Sequence, residues 1–363
     1  MRWGQGFAVL PMAAGVRIES RAAFVIFLVR RRSVIAAKVR LSVACGDYEI
    51  VRPLKEGAIE ADGLDLVILT GHGPRERHWR MARNLEFDVC EFNIGAYLMA
   101  RYQNIPITAI PVFLHRRFRH GFAFVNVEAG IKTPKDLIGK KVGGTNFQPA
   151  GNIWLRGILE EHYGVPHKEL TWVVDRSEDV AFTPPQGLNI EMIPPGKSLD
   201  AMLAEGEIPA MINPYLPKPI VSGDPRVTRL FPNYKEVELE YFKQTGIFPI
   251  MHVTVVKQEI VDQYPWAPTS LVKAFEQAKQ MAYQRVVNPR VVPLAWFSHA
   301  WDEQRRALGP DPWAYGLGDA NRKNLKAIIR YCHQQGLIGR EMPVEELFVD
   351  TDPGDAGGDE GHY

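Results

Sequence analysis

RHGFAFVNV, residues 119–127, is a long β-prone run of nine residues with no helical period. A second run of this kind, MHVTVV, spans 251–256. Both are expected to be extended, and the units on either side of them decide what they connect. Ahead of the first run, VRLSVAC (39–45), LDLVIL (64–69), FDVCEF (87–92) and ITAIPVF (107–113) predict strands, the first stopped by Gly46-Asp47. Pro53 suits a short helix start, and apolar residues at helical spacing predict helices over 75–87 and 94–102. Between the two runs, 139–144, 170–174, 190–194 and 209–214 predict strands, with helices over 151–163 and 198–206. Thr133-Pro134 adds a capped helix start. After the second run the chain turns helical, over 268–286, 289–300, 318–335 and 344–348.

Strands and helices that alternate through short connections predict parallel-rich sheets covered by helices. Two such units joined by two extended runs predict an α/β protein of two lobes, with the chain crossing at 119–127 and returning near 251. Lobe 1 is expected to hold 39–125 plus 251–349, with the helical C-terminal part packed back on it, and lobe 2 to hold 126–250. Ligands of open α/β sheets sit beyond the carboxyl ends of the strands, so two facing sheets make a cleft between lobes. This is a type II periplasmic-binding-protein-like architecture, which closes by a hinge. Residues 1–38 are expected to be a disordered extension. Their apolar run AAFVIFLV (22–29) is far shorter than the roughly 20 residues of a membrane span. Arg30–Arg32 follow it where an export signal carries small residues. The Gly- and Asp-rich tail over 350–363 is expected to fray.

With 363 residues, 46% hydrophobic and 23% charged, the chain can fill two cores, and neither disorder nor a coiled coil suits its body. Lys+Arg (43) balances Asp+Glu (42), which leaves no electrostatic footprint for nucleic acid or an anionic membrane. Cys45, Cys90 and Cys332 are scattered, giving neither a disulfide framework nor a metal cluster, and fit a reducing, cytoplasmic setting. No nucleotide-binding glycine loop, zinc-protease helix or serine-hydrolase elbow occurs.

The strand-end rule selects the candidate site. Asp47, Tyr48 and Arg52 follow the first strand, Glu91 and Asn93 close the third, Asn146 and Gln148 follow 139–144, and Asn213 with Tyr215 follows 209–212. Arg119 and His120 open the first crossing and His252 the second. The loop 145–151 precedes a helix, whose free N–H groups and dipole favour an anion. Arg119 offers a bidentate carboxylate fork, whereas Arg116 and Arg117 read as solvated surface charge. Glu91 is either a general acid or a partner for Arg119.

CGDY (45–48), FDVCE (87–91), FRH (118–120), WLRGIL (154–159), GDPRV (223–227), GIFPIMH (246–252) and YGL (315–317) occur in this order. The ordered set resembles the 4,5-dihydroxyphthalate decarboxylase family, over about Val39 to Phe348. The resemblance implies metal-independent, cofactor-free decarboxylation of a hydroxylated aromatic acid, giving protocatechuate and carbon dioxide. Loss of carbon dioxide from an aryl ring needs a proton at the ipso carbon and an anchor for the remaining carboxylate. His252 or His120 is then the donor, Arg119 with the 145–151 loop the anchor, and Arg52 or Arg156 an assistant. Arg156 lies a turn into a helix, where a structural role competes. Glu91 beside the departing carboxylate would destabilise the bound ground state. The expected partner is a small aromatic carboxylate, with no nucleic acid and no membrane, and a homo-oligomer is compatible. A solute-binding protein serving an ABC-type transporter is the competing reading; it predicts a cleft with anchors alone, and Glu91, His120 and His252 favour the enzyme.

Overall fold

The computed structural model describes residues 37–288 and 290–351. The expected extension over 1–38, but for its last two residues, and the expected tail, from 352 on, lie outside them. Strands among the described residues are β1 (Val39–Ala44), β2 (Leu64–Leu69), β3 (Val89–Asn93), β4 (Ile107–Ile110), β5 (Ala123–Asn126), β6 (Lys141–Gly144), β7 (Thr171–Val174), β8 (Asn189–Met192), β9 (Ala210–Ile212), β10 (Val227–Arg229) and β11 (His252–Lys257). They form a five-stranded sheet of order β2-β1-β3-β11-β4 and a six-stranded sheet of order β10-β5-β9-β6-β7-β8. Within each, the strands of one alternating unit pair in parallel, as β1 with β2 and β3, and β6 with β7 and β9. The strands nearest the crossings run the other way: β11 is antiparallel to β3 and β4, and β5 to β9 and β10. A strand arriving from the other lobe enters its sheet from the opposite end, which explains the reversal. With these two mixed α/β sheets the chain has the two-lobed periplasmic-binding-protein-like fold.

The two crossings lie side by side. Arg116 forms an antiparallel bridge with Ile250, Arg117 N–H donates to Pro249 O at 3.1 Å, and Met251 N–H donates to His115 O at 2.9 Å. The first crossing comes earlier than expected. β5 belongs wholly to the six-stranded sheet, so a boundary at 125/126 falls inside it. Nor is 119–127 one extended run, since His120–Phe122 makes a 3-10 turn ahead of β5. Gly121 N–H donates to Glu238 there at 3.0 Å, and a Cβ on Gly121 would stand 2.7 Å from the Tyr234 ring. That contact lets the helix Tyr234–Thr245 approach. This helix, a short one over Lys218–Ser222 and β10 lie within 215–248, a stretch without a predicted element.

Helices α1 (Arg52–Lys55), α2 (Pro74–Asn84), α3 (Ile94–Tyr102) and α4 (Ala150–Tyr163) position the site. The helix expected over 289–300 instead runs Phe297–Leu308, because a proline at 293 would break a hydrogen bond inside the expected helix. Of the C-terminal helices, Ala267–Val286 buries Leu271, Phe275 and Ala278 against Leu41, Val43 and Val256 of the five-stranded sheet. Asp319–Gln334 packs on α3 of lobe 1 as expected, and also reaches the second lobe. Its stripe of Leu325, Ile328, Ile329 and Tyr331 packs in one core with Trp154 and Ile158 of α4.

α3 and α4 meet at their N-terminal ends. A Cβ on Gly95 would lie 2.3 Å from Ile153 Cδ1 and 2.6 Å from the Gln148 carbonyl oxygen. Backbone cannot swing aside as a side chain can, so Gly95→Ala must push the helices apart. The variant is expected to lose about 1–3 kcal/mol, the usual range for overpacking. Urea unfolding measures this, and an unchanged midpoint would contradict the contact.

Candidate active site

Strand register assembles the centre. β11 pairs with β3 so that Thr254 faces Glu91 and His252 faces Asn93. Side chains alternate along a strand, so Glu91, Asn93, His252 and Thr254 share one face, with Glu91 and His252 as diagonal neighbours. Glu91 is fully buried and fully bonded. Its Oε2 accepts from Arg77 Nη2 at 2.7 Å and Gly46 N–H at 2.8 Å, while Oε1 accepts from Tyr48 Oη at 2.8 Å and lies 2.5 Å from His252 Nδ1. Burial alone would raise the pKa of this carboxyl; His252 and Arg77 outweigh it and hold Glu91 ionised, well below the usual carboxylate range. A carboxylate has no proton to give, so Nδ1 is the donor, and Nε2 is left as the working nitrogen of His252. Gly46 is required where it stands, since a Cβ there would lie 2.3 Å from the Tyr48 ring.

His78 from α2 and His115 from the first crossing set their rings edge-on to His252, at centroid distances of 4.9 and 4.7 Å. Burial and the charge of His252 push His78 well below the ordinary histidine range and His115 down to about 2, so both are neutral. His78 Nε2 and His115 Nδ1 are buried without a hydrogen-bond partner. A cavity of about 390 Å³ opens beside them. Tyr48, Arg75, His78, Asn93, His115 and His252 line it from the first lobe. Thr145, Gln148, Pro149, Asp175, Arg176 and Tyr215 line it from the second. Its volume suits one small aromatic acid. Donor atoms of Glu91, His115 and His252 lie within 4.8 Å of one another. A cation held by them would have to displace donors from a carboxylate already shared among four.

The structure separates the predicted site residues. Glu91 and His252 come together as a dyad, though the guanidinium on Glu91 is that of Arg77, not Arg119. Gln148 lines the cavity, but its side-chain amide bonds both backbone groups of Val180. The N–H groups of Phe147 and Gln148, expected to take a ligand anion, already donate to the Glu178 carboxylate at 2.6 and 3.0 Å. Asn146 donates to Ser177 O at 3.3 Å and does not line the cavity. Arg119 is buried behind it, against Gly151, donating to Asn213 O at 2.5 Å, so neither Arg119 nor Asn213 presents its side chain to the cavity wall. His120 is enclosed by Tyr163, Phe231 and Tyr241, away from the cavity, because the 3-10 turn points it into the second lobe. Arg156 stacks 3.6 Å over Phe147 and donates to Gln335 and the Phe147 carbonyl, which makes it structural. Asp47 and Arg52 are exposed, paired with Lys55 and Glu49. Arg117 is exposed as expected; Arg116 is buried and donates to Phe248 O, Ala314 O and Asn321, because it belongs to the paired crossings.

The residues missed carry a readable signal. Arg77, His78, Met81 and Ala82 are the buried face of α2, so a guanidinium and an imidazole stand on an otherwise apolar stripe. Asp175 and Arg176 directly follow β7, where the strand-end rule applies but selects no candidate.

Comparison with known proteins bears on this geometry. The chain is 34% identical over 321 residues to 4,5-dihydroxyphthalate decarboxylase of Comamonas testosteroni, covering 86% of this chain and 97% of that one. The chain belongs to the 4,5-dihydroxyphthalate decarboxylase family. Another protein of that name, from Pseudomonas putida, is 33% identical over 208 residues, 55% of this chain and 80% of its own. Residues 56–182 match the NMT1/THI5 like family. Among solved structures, the periplasmic aliphatic sulphonate binding protein SsuA of Escherichia coli is similar in fold, with a TM-score of 0.51 at 11% identity, covering 90% of this chain and 96% of that one. Family membership makes the protein a carboxy-lyase by kinship, and the SsuA likeness concerns its fold alone.

Proposed function

We propose that this protein decarboxylates a hydroxylated aromatic acid, 4,5-dihydroxyphthalate, to protocatechuate and carbon dioxide. The observation that carries the reading is His252, held by an ionised Glu91 and facing a cavity of about 390 Å³. In its protonated form His252 gives the Nε2 proton to the ipso carbon of the ring. The bond to the carboxylate then breaks, its electron pair restores the aromatic ring, and carbon dioxide leaves. Water returns a proton to His252, so the sum is one proton taken up for each carbon dioxide released. Glu91 accepts from Nδ1 throughout, which orients the ring and fixes its tautomer after transfer. The neutral His78 and His115 add no further cation to hold the departing carboxylate, and His252 gives up its own charge with the proton. A reducing compartment suits the free, buried Cys45, Cys90 and Cys332, and we place the reaction in the cytoplasm.

The test is carbon dioxide release from the purified full chain with 4,5-dihydroxyphthalate and a panel of hydroxybenzoates, with and without a chelator. Turnover of 4,5-dihydroxyphthalate unaffected by chelation is expected. Tight binding without turnover across the panel would instead support a solute-binding role.

A further inference from the structure

We propose that Arg75 and Arg176 clamp, one from each lobe, the carboxylate that the product keeps, and thereby select aromatic acids with two adjacent carboxyl groups. This rests on the decarboxylase reading of the same cavity and assigns it an anchor that Arg119, Arg52 and Arg156 do not provide. Arg75 is exposed in the first turn of α2 and makes no hydrogen bond or ion pair with the described residues. Arg176, two residues past β7, gives Nη1 to Asp179 Oδ1 at 2.9 Å. That bond orients the guanidinium and leaves its Nε–Nη2 edge, the edge a carboxylate takes bidentately, without a partner. Both arginines line the cavity, and both line an adjoining hollow of about 530 Å³ whose wall includes Trp79. The third arginine near His252, Arg77, is spent on Glu91.

Chemistry decides which carboxylate the pair takes. Guanidinium groups on the departing carboxylate would stabilise its charge in the ground state more than in the transition state, where that charge moves into the ring. The departing group therefore belongs at the histidine end, where His78 and His115 are neutral and His252 loses its charge with the proton it gives, and its ortho neighbour at the arginine end. A vicinal dicarboxylate reaches both ends with one ring. Because Arg75 and Arg176 belong to different lobes, the retained carboxylate also ties the lobes across the cleft.

Benzoate and benzamide are the probes, because neither carries a hydroxyl to support turnover and only benzoate offers the clamp a carboxylate. Calorimetric titration of the wild type is expected to show benzoate bound at least ten-fold more tightly than benzamide. Arg75→Gln should bring that ratio toward one while benzamide affinity barely changes, and Arg75→Lys, which keeps the charge but loses the fork, should fall between. Arg176→Gln should act in the same direction; Arg75, exposed and unbonded, supplies the variant whose folding is not at risk. A wild-type ratio near one, or a ratio unchanged in Arg75→Gln, overturns the clamp. Loss of the decarboxylase reading would show separately, as wild-type protein that releases no carbon dioxide from 4,5-dihydroxyphthalate.

Discussion

His252→Ala is expected to lower kcat for carbon dioxide release by about 10²–10⁴-fold, the range that a positioned general acid contributes, with KM changed far less. The geometry supports a loss at that scale. His252 is the cavity histidine hydrogen-bonded to a buried carboxylate, which fixes its ring and leaves Nε2 for the proton. His78 and His115 lie against it but are kept neutral by burial and by its charge, so neither can take over as acid. Their replacement by glutamine should cost less than that of His252, since it would alter packing around the donor without removing the proton. His252→Asn is the sharper control, because a side-chain amide can still donate to Glu91 but has no acidic proton to transfer. Steady-state kinetics across the three positions checks the ranking. If His115→Gln or His78→Gln cost as much in kcat as His252→Ala, the donor would be misassigned.

The fold was more legible than the site, for a physical reason. Strand and helix patterns are local: the limits predicted for β2 and α3 coincide with those observed, and α4 differs by one residue. Strand ends are also local, which is why Glu91 and His252 stand out. That they touch depends on the register of two strands 161 residues apart, and no window of sequence contains it. The neighbours Arg119 and His120 show the opposite failure. The crossing itself lies just ahead of them, at 115–117, and a 3-10 turn whose glycine is pressed by Tyr234 sends both side chains into the second lobe. Arg77 and His78 went unread because a helix with an apolar stripe explains itself without them. Their burial on that stripe was the unused clue.

Glu91→Gln is expected to damage stability as well as catalysis, because the carboxylate neutralises Arg77 where neither group reaches water. Removing one member of a buried ion pair costs about 3–5 kcal/mol, since the other charge stays buried and unpaired. The amide is nearly isosteric, but its nitrogen is a donor: set toward Arg77 and Gly46 it loses both contacts, and set toward Tyr48 and His252 it requires the hydroxyl and Nδ1 to turn acceptor, which reverses the working tautomer. The wild-type advantage should depend on pH with a definite sign. Folding depresses the Glu91 pKa, so its contribution is complete above the ordinary carboxylate range and is lost as pH falls through that range toward the folded value. Urea unfolding should therefore show the wild type and Glu91→Gln well separated near neutrality and converging in acid. A gap independent of pH would mean that packing, not charge, accounts for the loss. The double variant Glu91→Gln with Arg77→Met separates the two roles of the dyad. It leaves no unpaired guanidinium buried, so stability should return in large part, while kcat should stay low because His252 still lacks the carboxylate that orients its ring and fixes its tautomer.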